Sequence, residues 1–179
     1  MKLLRTIRLD PSDTFVFERA AEPGEWAVSG GFVFFGADVQ ELTGKARAAF
    51  RSGFLGVDSL GWSTLVQVVD ATESEHAALV DKLAQRLLAS FGAPDLPRAR
   101  AAAQEEVAFA ASLTDHPLDT LIAVHRVHED GAIRETFRTL RPRQGEKPLR
   151  AFAFMEVEGE EETGDTVDLV GLAQGERQG

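Results

Sequence analysis

Two alternating runs, Thr120 to Glu129 and Ala132 to Leu140, meet at Asp130-Gly131, and this junction constrains the fold more than any other stretch. Asp-Gly favours a type I′ turn, whose twist matches that of the paired strands it joins. A two-residue turn sets Glu129 opposite Ala132 and thereby fixes the whole register. Val124 then faces Phe137, Arg126 faces Glu135 and His128 faces Ile133, on a side that is apolar except for one ion pair. The other side sets Leu121, Ala123, His125 and Val127 across from Leu140, Arg138, Thr136 and Arg134. His125, Arg134, Thr136 and Arg138 are thus gathered on one sheet face. They are the candidate ligand-binding residues, since arginine forks bind carboxylates and phosphates bidentately. The same face also reads as a solvated surface whose arginines pair with acids from elsewhere in the chain.

Upstream of the hairpin, Trp62 to Asp70 (WSTLVQVVD) is β-branched and apolar on both faces, the pattern of a central strand. Thr72-Glu73-Ser74-Glu75 matches a capping box. Val80, Leu83, Ala84, Leu87, Leu88 and Phe91 continue it as one helical face, closed by Gly92 and Pro94. Asp95 caps a second helix with Pro97 in its first turn. Its buried side is small (Ala99, Ala102, Ala103, Val107, Ala110, Leu113), which predicts tight packing on the first helix or on a second copy of the chain.

The front of the chain reads as a β meander. Strands are expected over Lys2–Leu9 and Thr14–Glu18, followed by a hairpin over Gly30-Gly31 that pairs Trp26 with Phe35 and Val28 with Val33. Asp38, with Glu41 three residues on, opens a helix carrying Val39, Leu42, Ala46, Ala49 and Phe50. Gly44 weakens that helix by roughly 1 kcal/mol relative to Ala. Ser52 to Gly61 reads as a glycine-punctuated loop, and Leu149 to Val157 as a last strand. The expected fold is a single α+β domain over 1–157: a largely antiparallel sheet of six or so strands, with helices near 39–52, 73–91 and 96–114 packed on one face.

Composition excludes several chemistries. Among 179 residues there is no Cys and no Asn. Disulfides, thiolate metal sites, iron–sulfur ligation and thiol catalysis are therefore absent. The net charge of −10 is uneven: residues 156–179 hold eight acids against Arg177 alone, leaving about −3 on the rest. This acidic segment, 158–179 above all, reads as a flexible tail, with Thr166–Leu172 a short apolar stretch inside it. It has a further reading as a flap over Arg134 and Arg138. The lack of a basic face argues against nucleic acid. No apolar run approaches the ~20 residues a membrane helix needs. MKLLRTIRLD lacks a signal-peptide core, so the chain is expected to be cytoplasmic.

No catalytic or cofactor motif is present, and the sequence points away from an enzyme. Glu73-x-x-His76 has the spacing of a di-iron ligand pair but lacks the second motif and the partner helices, so Glu75 reads as a cap. Asp115-His116 with Ser112 lacks a nucleophile elbow and reads as a helix-to-strand corner. Gly44-Lys45-Ala46 lacks the rest of a phosphate loop. The acidic segment lacks the alternating spacing of a calcium loop. No metal and no cofactor is expected.

From MKLLRTIRLDP through the DHPLD corner to TFRTLRP, the chain resembles an uncharacterised bacterial family of similar length. Members of that family tend to be encoded near accessory genes of redox metalloenzymes. The resemblance implies a non-catalytic accessory role and transfers no site residues; the leading reading is a soluble protein acting by contact with a protein partner, and the Ala-rich helix or an exposed strand edge makes a homodimer plausible. The alternative from the residues themselves is a small anion-binding module or enzyme using the His125/Arg134/Arg138 face.

Overall fold

The computed structural model describes residues 1–142 and 155–161. Its elements, in chain order, are strand β1 (Lys2–Ile7), short helix α1 (Asp13–Val16), strand β2 (Trp26–Val28), 3-10 turns at Gly31–Phe34 and Val39–Glu41, and helix α2 (Gly44–Ser52). Strands β3 (Phe54–Gly56), β4 (Trp62–Ser63) and β5 (Leu65–Asp70) follow, then helices α3 (Glu73–Ser90) and α4 (Leu96–Ser112). Strands β6 (Leu121–Glu129), β7 (Ala132–Pro142) and β8 (Met155–Glu161) complete the described chain. All strands join one antiparallel sheet in the order β4-β3-β2-β1-β5-β6-β7-β8. The protein is an α+β single domain.

The β6–β7 hairpin has the register its turn dictates: Val124 faces Phe137, Arg126 faces Glu135, His125 faces Thr136 and Glu129 faces Ala132. Asp130 at φ 52° and Gly131 at φ 78° supply the two positive dihedrals of a type I′ turn. β5 is central, between β1 and β6, with Val66 and Val68 wholly buried. α3 carries its capping box: Thr72 Oγ1 accepts the Glu75 N–H at 3.1 Å, and Glu75 Oε2 accepts the Thr72 N–H at 2.9 Å. Gly92 at φ 77° ends it. Asp95 caps α4 through the Arg98 N–H at 2.9 Å. The small residues Ala99, Ala103, Val107 and Ala110 bring α4 against α3, β1 and β2 within one core that includes Val66, Val68, Ile122, Val124 and Phe137. The intrachain partner is thus what the small face meets.

The front of the chain departs from the expected meander. Thr14–Glu18 is not a strand; α1 begins at Asp13, whose buried carboxylate accepts the Thr64 N–H at 3.1 Å and the Thr64 hydroxyl at 2.6 Å. The same contact holds Thr64 at the break between β4 and β5, splitting the strand expected over Trp62–Asp70.

Gly30-Gly31 does not make a hairpin either. Trp26–Val28 pairs with β1 and β3, and Gly31–Phe34 is a 3-10 turn. That turn sends its aromatic rings in two directions. Phe32 meets Phe91 edge-on at 5.3 Å, while Phe34 meets Phe50 edge-on at 5.2 Å and stacks on Trp62 at 5.4 Å. A strand would leave Phe32 and Phe34 on one face; the turn lets them anchor two separate clusters.

The helix expected from Val39 is divided. Asp38 caps the Val39–Glu41 turn, and α2 starts only at Gly44, with φ 56°. Ser52–Gly61 holds the buried strand β3. Its glycines mark close approach: a Cβ on Gly53 would stand 2.7 Å from Trp62, and one on Gly56 2.8 Å from Glu25 Oε1. Of the strand expected over Leu149–Val157, residues 149–154 lie outside the described residues, and β8 runs to Glu161. The rest of the acidic segment, including Thr166–Leu172, also lies outside them.

Candidate functional site

β6 is longer than its neighbour allows. β5 pairs with it only through Leu65–Ala123, Val66–Ile122 and Gln67–Leu121, so from Val124 onward the strand has no ladder on that edge among the described residues. α2 packs against β6 instead. What fastens the two is Arg126, wholly buried. Its Nη1 donates at 3.0 Å to the carbonyl of Phe50, in the last turn of α2, and at 3.4 Å to that of Ala49, which also accepts the Gly53 N–H at 3.0 Å. Its Nη2 donates to the Ser29 carbonyl and Oγ, and its Nε reaches Glu135 Oε2 at 2.8 Å. The paired Arg126 and Glu135 expected from the hairpin register thus serve as the joint between helix, turn and sheet.

A helix beside an unladdered strand edge leaves a cleft of about 390 Å³, lined by Val39, Gln40, Arg47, Phe50, Arg51 and residues 125–128 of β6. Arg47 and Arg51 stand at i and i+4 on α2, so they share one helix face. Neither side chain has an ion pair or hydrogen bond with a described residue. Two of the chain's four histidines, His125 and His128, line the same cleft. No carboxylate of the described residues lines it, in a chain whose net charge is −10. The apolar contribution is Val39, Phe50 and Val127.

The four residues singled out from the sequence divide. His125 is exposed and belongs both to this cleft and to a hollow of about 250 Å³ shared with Ala123, Val124 and Arg138. Thr136, its cross-strand partner, is buried. Arg134 is drawn to the hairpin tip, with Nη2 3.4 Å from Asp130 Oδ2 and Nη1 3.8 Å from Glu129 Oε2. Its charge is directed at those two acids and away from the His125 hollow. Arg47 and Arg51 were missed, because nothing local says that α2 lies beside β6. The available signal was two arginines at i,i+4 with no acid within one turn of either, a pair with no intrahelical reason to be there.

The other motifs resolve into structure. Glu75 is the cap of α3, and its carboxyl is held below the ordinary glutamate range chiefly by the Thr72 N–H. Ser112 Oγ donates to the Phe109 carbonyl at 2.6 Å, which commits that hydroxyl to its own helix, and the His116 carbonyl accepts from Lys2 Nζ at 2.7 Å. Among the described residues no group of three His, Asp or Glu side chains is placed to hold a metal ion, and no helix is long and apolar enough to cross a membrane.

Neither the curated proteins nor the solved structures contain a match to the chain. A family model does match, over residues 1–159, and by that match the chain belongs to the family of unknown function DUF6505.

Proposed function

We propose that this protein is a binding module for a small dianion, a carboxylate or phosphate compound, seated in the cleft between α2 and β6. The observation that carries the reading is the pair Arg47 and Arg51, two guanidinium groups that line a cleft with His125 and His128 and that, among the described residues, have no acidic partner and share the lining with no carboxylate. Each guanidinium offers a planar fork of donors, and hydrogen bonds to an ionised partner are the strong ones. A cleft of about 390 Å³ lies within the range of small-ligand sites. Phe50, Val39 and Val127 give the ligand's carbon skeleton an apolar wall. No group here is poised as nucleophile and base together, so the reading is binding without chemistry.

Isothermal titration calorimetry with phosphate, pyrophosphate, succinate and citrate tests it, on wild type, Arg47→Gln, Arg51→Gln and the control Lys45→Gln. At least one dianion should bind wild type and the control alike. Either arginine substitution should weaken binding about tenfold, the loss of roughly 1.5 kcal/mol expected for a hydrogen bond to a charged group. Equal binding by all four proteins would remove the site.

An accessory role through a protein partner is the second reading. It is supported by Phe15 and Val16, 71% and 41% exposed and adjacent on α1. If that surface docks a partner, Phe15→Asp abolishes a complex that the wild-type chain forms. Retention of the complex by the variant would exclude α1 as the docking surface.

A further inference from the structure

We infer that the protein has a second, separate binding site, for a small organic cation with an apolar body, in the cleft between the Gly31–Phe34 turn, α4 and β7. This cleft holds about 470 Å³, again the size of a small-molecule site. Phe32, Phe35, Phe109 and Ile133 give it apolar walls. Phe35 is 72% exposed at its rim, an exposure that the fold itself does not require.

The polar end of the cleft is built around Glu135, only 8% exposed. Both of its donors, Arg126 Nε and Ser29 Oγ, go to the same oxygen, Oε2. Oε1 accepts no hydrogen bond from a described residue and is not sealed from solvent, so it is open to the cleft. Gly31 lies against it: a methyl group there would stand 3.5 Å from both carboxylate oxygens, so the missing side chain keeps that approach open. A carboxylate oxygen accepts and does not donate, so Oε1 asks for a donor. Glu105, at the mouth, has no ion pair with a described residue and adds negative charge where a ligand would enter. Among the described residues no cationic side chain lines the cleft.

A hydrogen-bond acceptor at one end, negative charge at the mouth and aromatic walls between them select an ammonium or guanidinium on a hydrocarbon body. Such a cation gains from the ring faces as well as from the carboxylate. A bare metal ion would forgo the apolar walls, and an anion would be repelled.

The test is a titration followed by ¹⁵N–¹H correlation spectra, reading the Gly30 and Gly31 amides. The probes are phenethylammonium, its neutral counterpart 2-phenylethanol and the acid 3-phenylpropionate. Phenethylammonium should shift both amides saturably and bind about tenfold more tightly than the alcohol, the value of one charge-assisted hydrogen bond. The acid should not bind. Glu105→Gln, a surface change, should weaken the ammonium and leave the alcohol unchanged, while Phe35→Ser should weaken both. Equal affinity for ammonium and alcohol, binding of the acid, or no shift at the glycine amides with any probe would each overturn the inference. Arg47→Gln should leave the ammonium titration unchanged, so this result stands or falls apart from that of the α2–β6 cleft.

Discussion

Arg126 and Glu135 face each other across the β6–β7 ladder, Nε 2.8 Å from Oε2, and each lines a different cleft. A buried pair of this kind is expensive to break from one side, because the survivor stays buried and charged; the cost is about 3–5 kcal/mol. Arg126→Met should therefore unfold the protein at distinctly lower urea. Replacing both members by apolar residues often recovers such a loss. Here Arg126→Met/Glu135→Leu should recover only part of it, since the carbonyls of Ser29 and Phe50 lose their donor as well. Full recovery in chemical denaturation would show that the arginine's carbonyl contacts do not hold α2 in place.

The start of α3 gives a pH prediction with a definite sign. Glu75 is held below its ordinary value mainly by the Thr72 N–H, with the Thr72 hydroxyl and then Arg5 adding to it. A carboxylate whose folded pKa is depressed contributes stability that is present above the unfolded value of 4.5 and is lost as pH falls through the folded one. Glutamine also serves at the third helical position of a capping box. Glu75→Gln should thus lie close to wild type below the folded pKa and fall below it as pH rises toward 4.5, with the gap complete above 4.5, in melting temperatures taken across the range. Thr72→Ala, which removes the other half of the box, should cost about 1 kcal/mol, or about 2–4 °C in a chain of this size. A wild-type advantage over Glu75→Gln that grew on acidification would contradict this account.

What could be read from the sequence was what the sequence determines locally. The hairpin register follows from two turn residues, and the cap of α3 from four adjacent ones, so both came out as expected. The errors fall where a distant partner decides. Thr14–Glu18 alternates well enough for a strand, but Asp13 is committed to Thr64, some fifty residues away. Gly30-Gly31 has hairpin composition, but Phe32 and Phe34 are claimed by Phe91 and by Trp62 with Phe50. The glycines of 52–61 are there for close approach to Trp62 and Glu25, which looks the same in sequence as a loop. The candidate site divides in the same way. His125 could be placed by alternation, whereas Arg47 and Arg51 reach it only because Arg126 ties α2 to β6.

Gly30 and Gly92 separate backbone strain from crowding. Both have positive φ, 83° and 77°, so alanine at either meets the left-handed penalty of about 1–2 kcal/mol. A Cβ on Gly92 meets nothing within 4 Å, whereas one on Gly30 would stand 2.7 Å from Leu55 Cβ and 2.9 Å from the Trp62 ring. Gly92→Ala should show the backbone penalty alone. Gly30→Ala should exceed it by a further 1–3 kcal/mol or so, the usual range for overpacking a core. Equal losses in urea denaturation would mean that β3 and Trp62 yield freely.

The sharpest prediction concerns Arg47, because stability and binding should move in opposite directions. Like charges at i and i+4 destabilise a helix by roughly 0.2–0.5 kcal/mol, and Arg47 faces Arg51 in that relation with no acid nearby to offset it. Arg51, in the last turn of α2, also gains from the helix dipole, so the arginine to remove is Arg47. In low salt without ligand, Arg47→Gln should leave the melting temperature unchanged or raise it by about 1 °C. The same substitution should weaken dianion binding, and wild-type binding should itself weaken as salt shortens the reach of the two charges. A residue kept for the fold would behave otherwise: its loss would cost stability with no anion present, and added phosphate would not widen the gap. Melting curves of the two proteins, with and without a saturating dianion at low and high salt, separate the cases. A drop in the ligand-free melting temperature of several degrees would make Arg47 structural and remove it from the site.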